Sequence, residues 1–220
     1  MSQPETRRAT LLQFYQEYLQ SEKSADFVRR VTTTYLPASL EQLALRGDAP
    51  TRRAAALALG MVGDYRQNAS LGIALHDSDR GVRILAENGI RQLWKRDGSA
   101  AQRHQLEELI RLNLCGMFDE AIQLATRMVD ATSSFAEAWN QRAIAFYQLD
   151  RFAESIADCH ETLERNPYHF GAAAGMGQCY LESGDEHSAL ECFGRALRLN
   201  PCLESVRAQV RYLRRSLEDR

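Results

Sequence analysis

Proline is scarce in this sequence: five in 220 residues. With so few helix breakers and so much Ala, Leu, Glu and Arg, the composition leans toward helix. Long apolar runs are missing as well. No stretch approaches the roughly 18 residues of a membrane span, and the opening "MSQPETRRATLLQFYQEY" has neither the apolar core nor the small-residue cleavage site of a secretory signal. A cytoplasmic location with no membrane contact is the expectation. Lysine is nearly absent, since Lys23 and Lys95 are the only two among 27 basic residues, which says more about a GC-rich genome than about mechanism. Charge of one sign is also lacking. The net charge of −2 carries no nucleic-acid signal. The two parts differ modestly, with 14 basic and 11 acidic side chains in residues 1–100 and 13 and 18 in the remainder.

Recognisable chemistry is missing too. No H-E-x-x-H, G-x-S-x-G or Walker loop occurs. Cys115, Cys159, Cys179, Cys192 and Cys202 form no C-x-x-C pair, and their odd number argues for small buried thiols rather than disulfides or zinc. Among His76, His104, His160, His169 and His187, His187 could share a helix face with Glu191 and Cys192, as could Asp158 and Thr162 nearby, and this falls short of a metal site. Asp77, Asp79 and Asp97 are acids of helix starts and turns. Neither a metal, a cofactor nor a catalytic residue is expected.

What the sequence does have is periodicity. Residues 136–169 align without a gap on 170–203, so that Asn166-Pro167 falls on Asn200-Pro201, Leu163 on Leu197 and Phe146 on Tyr180. One period earlier, "GMFDEAI" (116–122) falls on "DRFAESI" (150–156) and "GDEHSAL" (184–190). The spacing is 34 residues throughout. Each unit carries two amphipathic stripes: in the second, Trp139, Ala143, Phe146 and Tyr147, then Phe152, Ile156, Cys159 and Leu163. Asn-Pro closes each of the last two units, because the residue before proline avoids the helical region. The tail 204–217 stays in phase through Val206, Val210 and Leu213, with arginine on its other face: Arg207, Arg211, Arg214 and Arg215.

This pattern resembles the tetratricopeptide repeat, which places aromatic, small and proline residues at fixed positions in a 34-residue helix pair. The residues that carry the resemblance are Trp139, Ala143, Phe146, Ser155, Cys159 and Pro167 in the second unit. In the third they are Ala173, Gly177, Tyr180, Ala189, Phe193 and Pro201. The first unit is fainter, with Leu109, Leu112, Ala121, Ala125 and Thr132 in place of proline. Arg142 stands where the family has leucine. The resemblance implies an all-α solenoid, a superhelical array of antiparallel helix pairs. Its three repeats would be 102–135, 136–169 and 170–203, and 204–220 would be a capping helix that solubilises the end.

A second, shorter repeat precedes it. "GDAPTRRAAALALGMVGDY" (47–65) lies 31 residues before "SDRGVRILAENGIRQLWKR" (78–96), matching Asp48 with Asp79, Arg52 with Arg83, Ala55 with Ala86 and Leu59 with Ile90. Each aspartate is placed to cap a helix, and the arginine can pair with it or with the aspartate of the neighbouring unit. This is similar to HEAT-type repeats, including those of phycobilin lyases. Residues 47–101 are assigned to it and 1–46 to an N-terminal cap of two or three helices bounded near Ser21–Ser24 and by Pro37. Asn88-Gly89 would signal a turn in isolation, but the stripe Val82, Leu85, Ala86, Gly89, Ile90 and Leu93 runs through it.

The glycine series Gly171-x-x-x-Gly175-x-Gly177 has the spacing of some nucleotide-binding turns. A helix stop precedes it and no β-rich run does, so the dinucleotide fingerprint fails. In register, Gly177 falls on Ala143, a position that lets two helices approach closely.

The resemblance implies a non-enzymatic scaffold that binds a protein or peptide on the concave surface of the array. The family draws that surface from the first helix of each pair. It maps onto Leu106, Ile110 and Asn113; Asn140, Ile144, Tyr147 and Gln148; and Ala174, Gln178, Leu181 and Glu182. The clamp that chaperone-binding members use for C-terminal carboxylates needs Lys and Asn at positions held here by Leu106, Asn140, Ala174 and Ile144. Two alternatives stand beside the scaffold: nucleic-acid binding through Arg52, Arg53, Arg80, Arg83 and Arg91, and a bilin-lyase-like accessory role.

Overall fold

The structure is a computed structural model that describes residues 3–218. Among these residues there are thirteen α-helices and no strand. They divide into two compact units that meet between Arg96 and Asp97.

The first unit contains α1 (Gln3–Ser21), α2 (Ser24–Thr34), α3 (Pro37–Arg46), α4 (Ala49–Val62), a 3₁₀ turn (Tyr65–Gln67), α5 (Asn68–Ala74) and α6 (Arg80–Lys95). The sequence signals for helix starts appear as atoms. Asp48 accepts the Thr51 N–H at 3.1 Å and Asp79 accepts the Val82 N–H at 2.9 Å, so the matched aspartates both cap helices. Helix α4 is the centre: Ala54, Ala55, Ala56, Ala58 and Leu59 are all buried, as befits a helix packed on several sides. It meets α6 at a pair of glycines. A Cβ on Gly60 would stand 2.7 Å from the Gly89 Cα. Helix α6 therefore runs unbroken through Asn88-Gly89, and the glycine permits backbone contact rather than a turn. The aromatic stripe of α1 is spent internally, with Phe14 edge-on to Tyr35 at 6.4 Å and Tyr18 against Phe27 at 5.2 Å.

The second unit contains α7 (Ala100–Leu114), α8 (Phe118–Ala131), α9 (Ala136–Gln148), α10 (Phe152–Arg165), α11 (Phe170–Glu182), α12 (Glu186–Leu199) and α13 (Glu204–Glu218), each packed on the next. Its three internal turns are copies of one another. Gly116, Asp150 and Gly184 have φ of 73°, 57° and 80°, and each lies 34 residues from the next. After each of them the chain closes the turn with an N–H reaching back five residues: Met117 to Leu112 at 3.0 Å, Arg151 to Phe146 at 2.9 Å and Asp185 to Tyr180 at 2.9 Å. Left-handed backbone suits glycine, and aspartate is among the few other residues that tolerate it. The Asn-Pro stops also carry hydrogen bonds. Asn166 and Asn200, both wholly buried, accept the N–H of Tyr168 and Cys202 at 3.2 and 2.9 Å.

The residues at one helix–helix contact change from repeat to repeat. A Cβ on Gly177 would lie 2.6 Å from the Phe193 ring, so this large residue needs glycine opposite it. One register earlier the corresponding buried positions hold Ala143 and Cys159, and one before that Leu109 and Ala125.

Candidate functional site

Helices α7 and α9, the first helices of adjacent pairs, border an open groove of about 490 Å³ with the α7–α8 turn. Its walls are Ile110, Asn113 and Leu114 from α7, Gly116 and Phe118 from the turn and the start of α8, and Gln141, Ile144 and Gln148 from α9. None of these eight side chains is charged. Leu114 is 83% exposed, an apolar side chain left in water at the groove edge.

The amides along this groove are held by a buried polar chain. Asn113 Nδ2 donates to the backbone oxygen of Gln141 at 2.9 Å and to its Oε1 at 3.0 Å. Gln141 Nε2 donates to Glu137 Oε1 at 2.8 Å, and Asn140 Nδ2 donates to the same oxygen at 2.9 Å. The second Glu137 oxygen lies 3.1 Å from His169 Nε2. His169 Nδ1 accepts the Ala172 N–H at 2.9 Å, so the ring proton sits on Nε2 and points at the carboxylate. Glu137 and His169 are both buried. Burial alone would raise the Glu137 carboxyl, but the His169, Gln141 and Asn140 donors outweigh it and hold the group below its ordinary 4.5. The chain spans three helices of the unit, α7, α9 and the first turn of α11.

That depressed value has a consequence for stability. A carboxylate stabilised in the fold contributes fully above its unfolded value and loses the contribution as pH falls through the lower folded one. Urea titrations should therefore show the wild-type chain losing stability below about pH 4.5 more steeply than Glu137→Gln, which cannot titrate. Parallel curves for the two would show that the carboxylate is not held as described.

The residues singled out from the sequence separate into three groups. Ile110, Asn113, Ile144 and Gln148 lie together on the groove. Leu106 is a correction: it is buried in the core with Leu109, Ala121 and Ala125, because it sits on the face of α7 that packs against α8. Asn140 is likewise buried, its amide committed to Glu137 rather than open to a ligand. The remaining five cluster further along. Tyr147 packs on Phe152 with ring centroids 5.7 Å apart and interacts with Gln178 and Glu182, and Ala174 and Leu181 rest on the core of the last pair. Gln178 is tied at both ends, donating to Glu182 at 2.8 Å and accepting from Gln209 of α13 at 3.0 Å.

Sequence reasoning missed Leu114, Gln141, Gly116 and Phe118. The first two were findable: Leu114 follows Ile110 by four residues, and Gln141 precedes Ile144 by three, the spacings of one helix face. Gly116 and Phe118 reach the groove only because the turn folds back. Glu137 and His169 are separated by 32 residues, and no local pattern signals their contact.

The thiols divide as well. Cys159 and Cys179 are buried, and burial pushes both up, away from reactivity. Cys115 is exposed, contrary to the expectation that all five are interior. No cluster of three or more metal-ligating side chains exists among the described residues. No helix among them is long and apolar enough to cross a membrane.

Comparison with known proteins follows the same register. Residues 172–201 match the family model of the tetratricopeptide repeat. The chain contains a tetratricopeptide repeat. It is 29% identical over 148 residues to a TPR repeat-containing protein of Rhizobium etli, covering 64% of this chain and 68% of that one. It is also 29% identical over 103 residues to RNA polymerase II-associated protein 3 of Xenopus tropicalis, of which it spans only 16%. Among solved structures, the first TPR of Spaghetti (RPAP3) bound to the HSP90 peptide SRMEEVD superposes with a TM-score of 0.52 at 23% identity, over 55% of this chain and 96% of that one. That likeness establishes the α-solenoid fold of stacked tetratricopeptide helix pairs. The HEAT-like repeats have no counterpart in these matches.

Proposed function

We propose that the chain is a non-enzymatic scaffold that holds a protein or peptide segment in the groove between α7 and α9. The observation that carries this reading is the groove itself: an uncharged apolar trough beside two ordered amides, Asn113 and Gln141, on the helices that tetratricopeptide arrays use for recognition. The structural neighbour with a bound HSP90 peptide supports peptide capture as the mode. The acidic terminus of that peptide is a poor match here, because none of the eight lining residues carries a cation to meet a carboxylate. An uncharged apolar segment fits better. Tyr147, Ala174, Gln178, Leu181 and Glu182 extend the same surface along α9 and α11.

In the first unit we retain HEAT-like repeats for 47–101 and a helical cap for 1–46. What supports it is an ion pair from α4 to the α6 cap, made by Arg53 and not by the matched Arg52, which turns to Asp77, or Arg83, which turns to the Asp77 backbone oxygen. Arg53 reaches from α4 to Asp79, the cap of α6, at 2.7 Å, and Arg52 pairs with Asp77 through bonds of 2.6 and 2.7 Å. These pairs also weaken the nucleic-acid alternative. Arg52 and Arg53 are neutralised, Arg83 donates to the backbone oxygens of Asp77 and Ser78, and Arg91 pairs with Glu87.

The test is capture from lysate with Leu114→Glu/Ile144→Glu, two exposed positions where the change leaves the core untouched. The groove reading expects the captured partner to fall at least tenfold, since each buried carboxylate without a partner costs several kcal/mol. Undiminished capture by a folded double variant would remove the groove from consideration.

A further inference from the structure

Five arginines of the second unit are held in ion pairs. Arg111 meets Glu108, Arg142 meets Asp158, Arg151 meets Glu154, Arg165 meets Glu161 and Arg207 meets Glu204. Helix α13 gathers three others on adjacent turns. Arg211, Arg214 and Arg215 stand at i, i+3 and i+4, all exposed, and make no ion pair among the described residues. Beside them Tyr212 is 71% exposed. Three adjacent guanidiniums repel one another, and Arg with Tyr is the composition of interface anchors rather than of solvated surface.

The opposite charge is present in the same unit, out of reach. In α8 the exposed Asp119, Glu120 and Asp130 also make no ion pair among the described residues, and only Arg127 offsets them on that helix. Across residues 97–135 six acidic side chains face three basic ones, whereas α13 holds four arginines against two glutamates. Each helix of the unit packs on the next from α7 to α13, so these two helices lie five steps apart in the stack. Residues 136–203 between them carry ten acidic and five basic side chains, so α13 is the net positive helix of an otherwise acidic unit.

We infer that α13 is a docking face for the acidic α8 surface of a second copy of this chain. Such a contact is heterologous: one surface meets a different surface of its neighbour, so the association runs head to tail. Two other anionic partners fit less well. The apolar face of α13 is buried through Val206, Val210 and Leu213 and has nothing to insert into a lipid surface. Nucleic acid would have to approach a unit whose other helices are net acidic.

The experiment is sedimentation velocity on the full chain across salt and concentration. Exposed charges about a Debye length apart are screened as salt rises, so the dissociation constant should rise at least tenfold between 20 and 300 mM salt. Arg211→Glu/Arg214→Glu/Arg215→Glu and, separately, Asp119→Arg/Glu120→Arg/Asp130→Arg should each stay monomeric, and mixing the two should restore association. All six positions are exposed, so folding is preserved, and helical circular dichroism checks it. A wild-type chain that stays monomeric at low salt overturns the inference, as does association unchanged by either charge reversal or a mixture that fails to associate. Binding of wild-type but not Arg-reversed chain to single-stranded RNA or phosphatidylserine vesicles, with no self-association, assigns α13 to a different partner and likewise overturns it.

Discussion

Asp158→Ala is expected to destabilise the second unit by about 3–5 kcal/mol, the cost of stranding a buried charge. Asp158 is almost fully buried on α10 and takes both arms of Arg142, at 2.7 and 2.9 Å. The third arm of Arg142 donates to Thr126 on α8 at 3.0 Å, and its guanidinium lies 4.9 Å from the Trp139 ring and 5.8 Å from Phe146. The two hydrogen bonds that Arg142 donates to Asp158 raise its guanidinium above the usual value, so the cation cannot escape by losing its proton. Removing the carboxylate leaves the cation between three helices with only the weaker field of Asp130 to answer it. Replacing the pair together, Arg142→Leu/Asp158→Leu, is expected to recover most of the loss, because a buried ion pair is often no more stable than apolar residues of similar volume. Hydrogen exchange of the α9 and α10 amides measures both. A single substitution costing under about 1 kcal/mol, the scale of a surface pair, would mean that water reaches the site and screens it.

Gly89→Leu should lower the stability of the first unit by about 3 kcal/mol, the upper end of the ordinary range for overfilling a packed core. Two effects oppose each other at this position. Leaving glycine inside a helix forgoes about 1 kcal/mol relative to a good helix former. Against that, a Cβ at residue 89 would lie 2.9 Å from the Gly60 Cα and 3.0 Å from Leu71 Cδ1. A flexible side chain could give way, but the Gly60 Cα is backbone in the last turn of α4, so α4 and α6 must separate. Steric cost therefore exceeds propensity, and even Gly89→Ala should destabilise. Thermal melting and exchange in α4 and α6 decide it. An alanine variant that gains the full propensity benefit would show that the two helices can slide apart cheaply.

How far each feature was legible follows from the range of the interactions behind it. The 34-residue period, the Asn-Pro stops, the positive-φ turns at Gly116, Asp150 and Gly184 and the aspartate caps of α4 and α6 are local, so nearest neighbours in the chain encode them. Half of the groove followed from family register, since Ile110, Asn113, Ile144 and Gln148 occupy first-helix positions. The errors came where a helix has more than one packed face. Leu106 and Asn140 belong to first helices like the others, but periodicity does not say which side a following helix will cover.

By itself the sequence determined an all-helical chain, the 34-residue repeat and the close approach at Gly177, because hydrophobic period and backbone stereochemistry act within a turn or a pair. Tertiary structure alone decided that Arg142 answers Asp158 across two helices, that Glu137 and His169 lock the amides of the groove, and that the arginines of α13 stay unpaired. Those outcomes depend on which charges and amides are brought within about 3 Å of one another, and distance along the chain carries no information about that.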